Sequence, residues 1–280
     1  MSTPVQDIEI NDLRTFIERV KTLYGYDFGD YALSSFKRRL LRILELNKIS
    51  NMATLTKRIE TDQAFFKYVL SEITVNVTEM FRDPSFWREL RDKVFPNIFL
   101  NQQSINIWHA GCSSGEEVFS MVILLSELGM LEKANIMATD IDIEILKKAT
   151  AARIPLKNME VNEKNYIRFA GSQKLENYFK YKDGHAELDK NLLKKVTFRE
   201  QSLVNGKMPQ EIKFDLVLCR NVMIYFNQNL QNRVLNLIHS SLHRFGYLAI
   251  GSKESMIWCD SANKFLVVNN EEKVFKKIKD

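Results

Sequence analysis

From Ile105 onward the chain alternates short apolar runs with helical stretches, and that alternation constrains its fold more than any other feature. Strands are read at Ile105–Ala110, Ile136–Asp140, Val196–Arg199, Phe214–Cys219 and Tyr247–Gly251. Helices are read between them at Glu117–Leu128, Ile143–Ala152 and Leu230–Leu242. Strand and helix in alternation give an α/β fold, a mainly parallel sheet covered on both faces. The tail, Lys264–Val268 then Glu272–Ile278 about Asn269 and Asn270, reads as an antiparallel hairpin at the sheet edge. Residues 153–195 break the alternation: they are polar, carry Tyr166, Phe169, Tyr178, Phe179 and Tyr181, and run too long for a plain connection. They read as a small, partly β, inserted subdomain.

The residues before this region have a different character. Ile10, Leu13, Phe16, Ile17 and Val20 recur at helical spacing, as do Leu33, Phe36, Leu40 and Leu44. A third apolar set runs through Phe65, Phe66, Val69, Leu70 and Ile73. The organisation expected is a helical domain over 1–75 and a second domain over 76–280 that contains the insertion. The length of 280 residues and 45% hydrophobic content are ample for two cores. The polar, acidic start shows no secretory leader, and no apolar run reaches the roughly 18 residues a membrane span needs. A cytoplasmic protein is expected, without membrane insertion and, for want of a spare apolar helix, monomeric. The three cysteines are far apart, which argues against disulfides and against zinc; no metal is expected. The net charge of +5 suits an acidic partner without naming one.

Ile107-Trp108-His109-Ala110-Gly111-Cys112-Ser113-Ser114-Gly115-Glu116-Glu117 joins a strand to a helix, the turn at which open α/β sheets bind ligands. It is neither a dinucleotide loop nor a phosphate loop. Glu116 and Glu117 would repel a phosphate at this helix start and would suit a cationic ligand such as S-adenosylmethionine, which has an ammonium, a sulfonium and no phosphate. The same acids also simply favour a helix N-terminus, so both readings stand. Asp140, at the end of the next strand, is placed to accept hydrogen bonds from two ribose hydroxyls; Asp142 is the better helix cap.

Three segments then resemble, in order, the hallmark stretches of CheR-type chemotaxis receptor glutamate O-methyltransferases. They are Asn76-Val77-Thr78-Glu79-Met80-Phe81-Arg82-Asp83, Cys112-Ser113-Ser114-Gly115-Glu116-Glu117, and Phe214-Asp215-Leu216-Val217-Leu218-Cys219-Arg220-Asn221-Val222-Met223-Ile224-Tyr225-Phe226. Gly251-Ser252-Lys253-Glu254-Ser255 extends the likeness over nearly the whole chain. The resemblance implies a class I S-adenosylmethionine-dependent methyltransferase (Rossmann-like) sheet with a helical N-terminal domain and a small inserted β-subdomain. It implies cofactor contacts from Asn76, Thr78, Arg82, Ala110, Glu116 or Glu117, Asp140, Ser202, Leu203, Arg220 and Asn221, with S-adenosylhomocysteine as product. It places Tyr225 beside the methyl group. The chain departs from the family at Val118-Phe119-Ser120, where Pro-Tyr-Ser is usual, at Ser114, where Thr is common, and at Gln201-Ser202-Leu203, where an Asn usually precedes the Leu.

Methyl transfer from a sulfonium is an in-line displacement. A glutamate, with a pKa of about 4.3, is already ionised at neutral pH and needs no general base. What remains is positioning: Arg82 can orient the carboxylate through its fork of donors, and Tyr225 can hold a hydrogen bond near the reacting atoms. Arg38, Arg39 and Arg42 lie opposite the apolar face of the second helix, and in the family that helix meets the acidic, helical cytoplasmic region of chemoreceptors. The short Phe179–His185 stretch, with one glycine, argues against a tether to a receptor C-terminal peptide of the kind some members hold. Two other readings compete. A nucleic-acid methyltransferase is permitted by the basic pI, but the charge is modest and its motifs are absent, so no nucleic acid is expected. A non-catalytic binding protein would not need Arg82, Asp140 and Tyr225 intact.

Overall fold

A computed structural model of the chain describes residues 8–100, 102–204 and 212–279; the acidic start of the sequence, through residue 7, lies outside the described residues. The chain forms two compact units, Met1–Asn76 with Tyr225–Arg233, and Val77–Ile224 with Val234–Asp280. Among the described residues no helix is long and apolar enough to cross a membrane.

The first unit is helical: α1 (Ile10–Tyr24), α2 (Leu33–Leu46), α3 (Met52–Thr61) and α4 (Gln63–Thr74). Its boundaries follow from capping. Gly25, at φ 77°, ends α1 and donates its N–H to Lys21 O at 2.9 Å. Asn51 and Asp62 start α3 and α4 by accepting Thr54 N and Phe65 N, each at 2.9 Å. Phe16, Val20, Phe36, Leu40, Leu55 and Val69 meet in its core. The helix α3 does not appear in the sequence reading, because its three apolar residues, Met52, Leu55 and Ile59, are too few to stand out over ten positions. Leu33, read as part of the apolar face of α2, is instead 44% exposed, since it is the first residue of the helix and overhangs the core.

The second unit opens with α5 (Pro84–Glu89), a π turn at Leu90–Val94 and α6 (Phe95–Phe99). Then follow β1 (Ile105–Ala110), α7 (Glu116–Glu127), β2 (Ala134–Asp140), α8 (Ile143–Ala151), β3 (Arg153–Pro155), α9 (Met159–Phe169), β4 (Phe179–Lys182) and β5 (His185–Leu188). The chain finishes with β6 (Val196–Glu200), β7 (Phe214–Cys219), α10 (Gln228–Ser241), β8 (Leu242–Ile250), β9 (Phe265–Asn269) and β10 (Val274–Lys277). The sheet order is β6-β2-β1-β7-β8-β10-β9. Strands β6 through β8 run parallel, and the terminal hairpin is antiparallel at one edge. The fold is that of a class I methyltransferase. From β1 the chain winds outward to β2 and β6, then returns to the other side of β1 as β7. This reversal leaves a crevice beyond the carboxyl ends of β1 and β7, where ligands of such sheets bind.

The inserted region holds a second sheet, β3-β5-β4, closed by a tight turn in which Asp183 and Gly184 both have positive φ. It also holds α9, which the sequence reading did not find. Asn162 and Asn165 are buried on the same helix as Met159, Tyr166 and Phe169, and these polar residues on the inner face interrupt the apolar period. Phe169 is fully buried and stacks on Phe81, their ring centroids 4.8 Å apart, so the insertion shares the main core. Phe169→Ala should cost about 3–5 kcal/mol in urea denaturation. The neighbouring Ile167→Ala, at a site 74% exposed, should stay within about 0.5 kcal/mol of the parent.

Candidate active site

The turn after β1 is closed by its own backbone. Gly111 N and Cys112 N both donate to Thr139 O, at 2.8 and 2.9 Å. Ser113 N donates to Asp140 Oδ2 at 2.8 Å. Gly111 has φ 84°, and a Cβ there would stand 2.5 Å from Val222 Cγ2; at Gly115, with φ 98°, it would stand 2.7 Å from the Phe119 ring. Only glycine lets the chain turn this tightly beneath a ligand. Ala110 is buried at the end of β1.

Asp140 ends β2 as a residue 8% exposed, its other oxygen accepting Asp142 N at 3.1 Å. Burial pushes its carboxyl above the ordinary aspartate value, against the opposing hydrogen bonds from Asp142 and Ser113. Asp142 caps α8 as the sequence suggests, accepting Glu144 N at 2.9 Å. Beyond β6, Gln201 N donates to Asp140 O at 2.9 Å, which sets Ser202 and the buried Leu203 next to this strand end. The Ser202 hydroxyl accepts Val204 N at 3.3 Å.

The two glutamates of the turn have separate environments. Glu116 is 6% exposed and accepts from Ser114 Oγ at 2.6 Å; burial raises its carboxyl despite that bond. Glu117 accepts from His109 Nδ1 at 2.8 Å and from Arg220 Nη1 at 3.1 Å. Burial disfavours its charge, but the His109 hydrogen bond and the electrostatic attraction from His109 and Arg220 outweigh that and hold its carboxyl below the usual glutamate value.

Arg220 follows β7, its side chain 2% exposed. Besides Glu117 it grips Asp83 Oδ2 at 2.8 Å and the Arg82 carbonyl at 3.4 Å, and its guanidinium lies 4.0 Å from the centre of the Phe86 ring. Its buried Nε has no acceptor among the described residues. Arg82 itself is half-buried, and its guanidinium has no partner among the described residues. The segment carrying it is pinned from two sides. Met80 N donates to Asn162 Oδ1 at 3.0 Å, Asn165 Nδ2 donates to Met80 O at 3.1 Å, and Phe81 N donates to Ser120 Oγ at 2.8 Å. These contacts hold Phe81 and Asp83 at φ 50° and 56°, a costly conformation for side chains with a Cβ. Thr78 lies half-buried at the start of this segment.

Asn221, at φ 61°, is held by Glu254, whose carboxylate accepts Asn221 N at 2.9 Å, Ile224 N at 3.2 Å and Gly251 N. The sequence reading noted the segment around Glu254 but gave this residue no role; an acid four residues beyond a strand end offers little signal by itself. Ser120, Asn162 and Asn165 were missed because their partners lie far off in sequence, and His109 because its pairing with Glu117 depends on the turn between them.

Asn76 and Tyr225 belong to the helical unit. Asn76 Nδ2 donates to Thr74 Oγ1 at 3.1 Å. Tyr225 O accepts Ala32 N at 2.9 Å, and Asp30 accepts from Asn227 Nδ2 at 3.1 Å and pairs with Arg233 at 2.6 Å. The three arginines of α2 diverge. Arg39 lies over the Tyr225 ring at 5.4 Å, its Nε buried without an acceptor among the described residues. Arg38 is exposed, and Arg42 is 69% exposed, with Glu72 at 3.8 Å.

Comparison with known proteins gives this geometry a context. The profile described as CheR methyltransferase, SAM binding domain, matches residues 76–274, and the CheR methyltransferase all-alpha domain matches residues 11–74. Cher3 of Pseudomonas putida, named provisionally as a methyltransferase, is 39% identical over 97% of each chain. The chemotaxis protein methyltransferase Cher2 of that species is 31% identical over 91% of this chain and 92% of its own. Chemotaxis protein methyltransferase 1 of Vibrio cholerae is 29% identical over 98% of both. With two family domains spanning nearly its length and a full-length relative at 39% identity, the chain belongs to the CheR methyltransferase family.

Proposed function

We propose that this protein transfers a methyl group from S-adenosylmethionine to glutamate side chains in the helical cytoplasmic region of chemoreceptors, acting as a cytoplasmic monomer. The observation that carries this reading is the donor and acceptor set at the crevice. Two buried carboxylates, Asp140 and Glu116, are both raised by burial, and a buried Arg220 N–H lacks an acceptor. A ligand with hydroxyls, an ammonium and a carboxylate answers each of them; a phosphate answers neither acid. The residues present therefore fit the cofactor. Asp140 would take the ribose hydroxyls and Glu116 the ammonium, since Glu117 is already committed to His109 and Arg220. Arg220 Nε would take the carboxylate. Asn76, Thr78, Ala110, Ser202, Leu203 and Asn221 keep the roles that their motif positions imply.

The bound cofactor supplies an electrophilic methyl on sulfur. The protein's own work is to align an ionised glutamate with it. Arg82, unpaired among the described residues and mounted on a pinned segment, orients that carboxylate; a single forked cation fixes direction without a proton transfer. Tyr225 keeps the role its motif position implies, a hydrogen bond beside the methyl group; within the helical unit the guanidinium of Arg39 lies over its ring. The outward Arg38 and Arg42 meet the acidic receptor helix.

Calorimetric titration should show that Asp140→Asn and Glu116→Gln each weaken cofactor and product binding about 10- to 100-fold, the loss of a hydrogen bond to a charged group. Unchanged affinity in either variant removes that residue from the site. With a receptor cytoplasmic fragment as acceptor, labelled methyl should appear as a base-labile ester and vanish when the target glutamates are changed to glutamine. Arg38→Glu combined with Arg42→Glu should raise KM for the fragment several-fold at low salt with kcat nearly unchanged, and the difference should shrink as salt is added.

A further inference from the structure

His109 lies on β1 between Ala138 of β2 and Leu218 of β7, with no exposed surface. A polar ring in that position has to be satisfied or it destabilises the core. Its Nδ1 stands 2.8 Å from Glu117 Oε1. An ionised carboxylate only accepts, so Nδ1 carries a hydrogen, while the buried Nε2 has no partner among the described residues. Glu117 Oε2 in turn receives Arg220 Nη1 at 3.1 Å, and the other arm of the same guanidinium reaches Asp83 Oδ2 at 2.8 Å and Arg82 O at 3.4 Å. The contacts form an unbroken line from a buried strand histidine to the backbone of Arg82.

From this line we infer that His109 is a positioning residue for methyl transfer: through Glu117 and Arg220 it sets where the turn bearing Arg82 stands. A carboxylate with only Arg220 as partner would turn both oxygens onto the guanidinium and draw it away from Asp83. The His109 N–H occupies one oxygen and leaves Arg220 one arm for each side. Phe81 and Asp83 stand at φ 50° and 56°, so the turn does not hold that shape by local preference: Asn162, Asn165 and Ser120 pin its start, Trp87 Nε1 donates to Arg82 O at 3.0 Å, and Arg220 grips its Asp83 end. The inference rests on the methyltransferase reading for its kinetic consequence, but not for the coupling itself.

Two measurements on the full-length protein test it. In the ligand-free protein, ¹⁵N spectra of the imidazole should report a hydrogen on Nδ1, and Asp83→Asn, three contacts away, should shift the His109 signals. No response to Asp83→Asn overturns the relay, whether or not the protein transfers methyl groups. In steady-state kinetics, His109→Leu removes the donor while keeping the volume, and should lower kcat about 10- to 100-fold, the scale of a small misplacement of a reacting group. The affinity for S-adenosylhomocysteine should fall less than kcat, because Asp140 and Glu116 keep their places and only the contact from Arg220 is disturbed. His109→Asn, whose amide N–H can stand near the Nδ1 position, should restore most of kcat. Equal kcat in His109→Leu and His109→Asn, or a loss that tracks product affinity instead of turnover, overturns the inference. Failure of the parent protein to transfer methyl at all overturns the functional reading and leaves the spectroscopic test of the relay standing.

Discussion

The buried guanidinium of Arg220 is the contact on which the site depends. Removing a cation from water costs several kcal/mol unless well-placed carboxylates and hydrogen bonds replace the lost hydration. Glu117 and Asp83 supply those carboxylates and the Arg82 carbonyl a further acceptor. Each of the three motifs read from the sequence gives one charged member to this cluster: Asp83 from the first, Glu117 from the second and Arg220 from the third. That is a physical reason for finding them together in one chain. A change in any one leaves a buried charge uncompensated, so the three segments are bound to one another by electrostatics as well as by their separate duties.

The same turn shows why the site suits a cation rather than a phosphate. In a phosphate-binding loop, free backbone N–H groups point at the ligand. Here Gly111, Cys112 and Ser113 donate theirs to Thr139 O and to the Asp140 carboxylate. What the strand ends offer in their place are carboxylates. Buried, and short of strong donors, these acids favour a partner with hydroxyls or positive charge, because such a partner offsets the cost that burial imposes on their ionised form.

The parallel sheet, the strand-turn-helix and the terminal hairpin were legible because each leaves a local mark: an apolar run, a glycine pair, an abrupt change of period. The order of the strands, and the switch point it makes between β1 and β7, left no local mark. The groups that hold the site in shape left none either. Asn162 and Asn165 are buried polar residues whose partners lie more than eighty positions away, and their presence also hid the helix that bears them. Glu254 serves the backbone N–H groups of Gly251, three residues away, and of Asn221 and Ile224, 33 and 30 residues away. The pairing of His109 with Glu117, though only eight residues apart, depends on the turn between them and could not be drawn from spacing. The choice between Glu116 and Glu117 was likewise open in the sequence, and their separate hydrogen-bond partners distinguish them.

The helical wheel of α2 groups Arg38, Arg39 and Arg42 as one basic face, yet position on a wheel does not fix where a long side chain ends. Arg39 ends over Tyr225, and burial lowers the pKa of its guanidinium there, opposed by the attraction to Tyr225. A cation held above an aromatic ring is stabilised by about 0.5–1 kcal/mol in an exposed setting and by more as water is withdrawn. Its unpartnered Nε retains the capacity to donate. Arg38 and Arg42 keep their charge in water, where it acts at a distance and is screened by salt. A helix that reads as a single basic face thus places its arginines in two settings: two whose charge acts at a distance through water, and one whose charge is held close against a tyrosine ring as water is withdrawn.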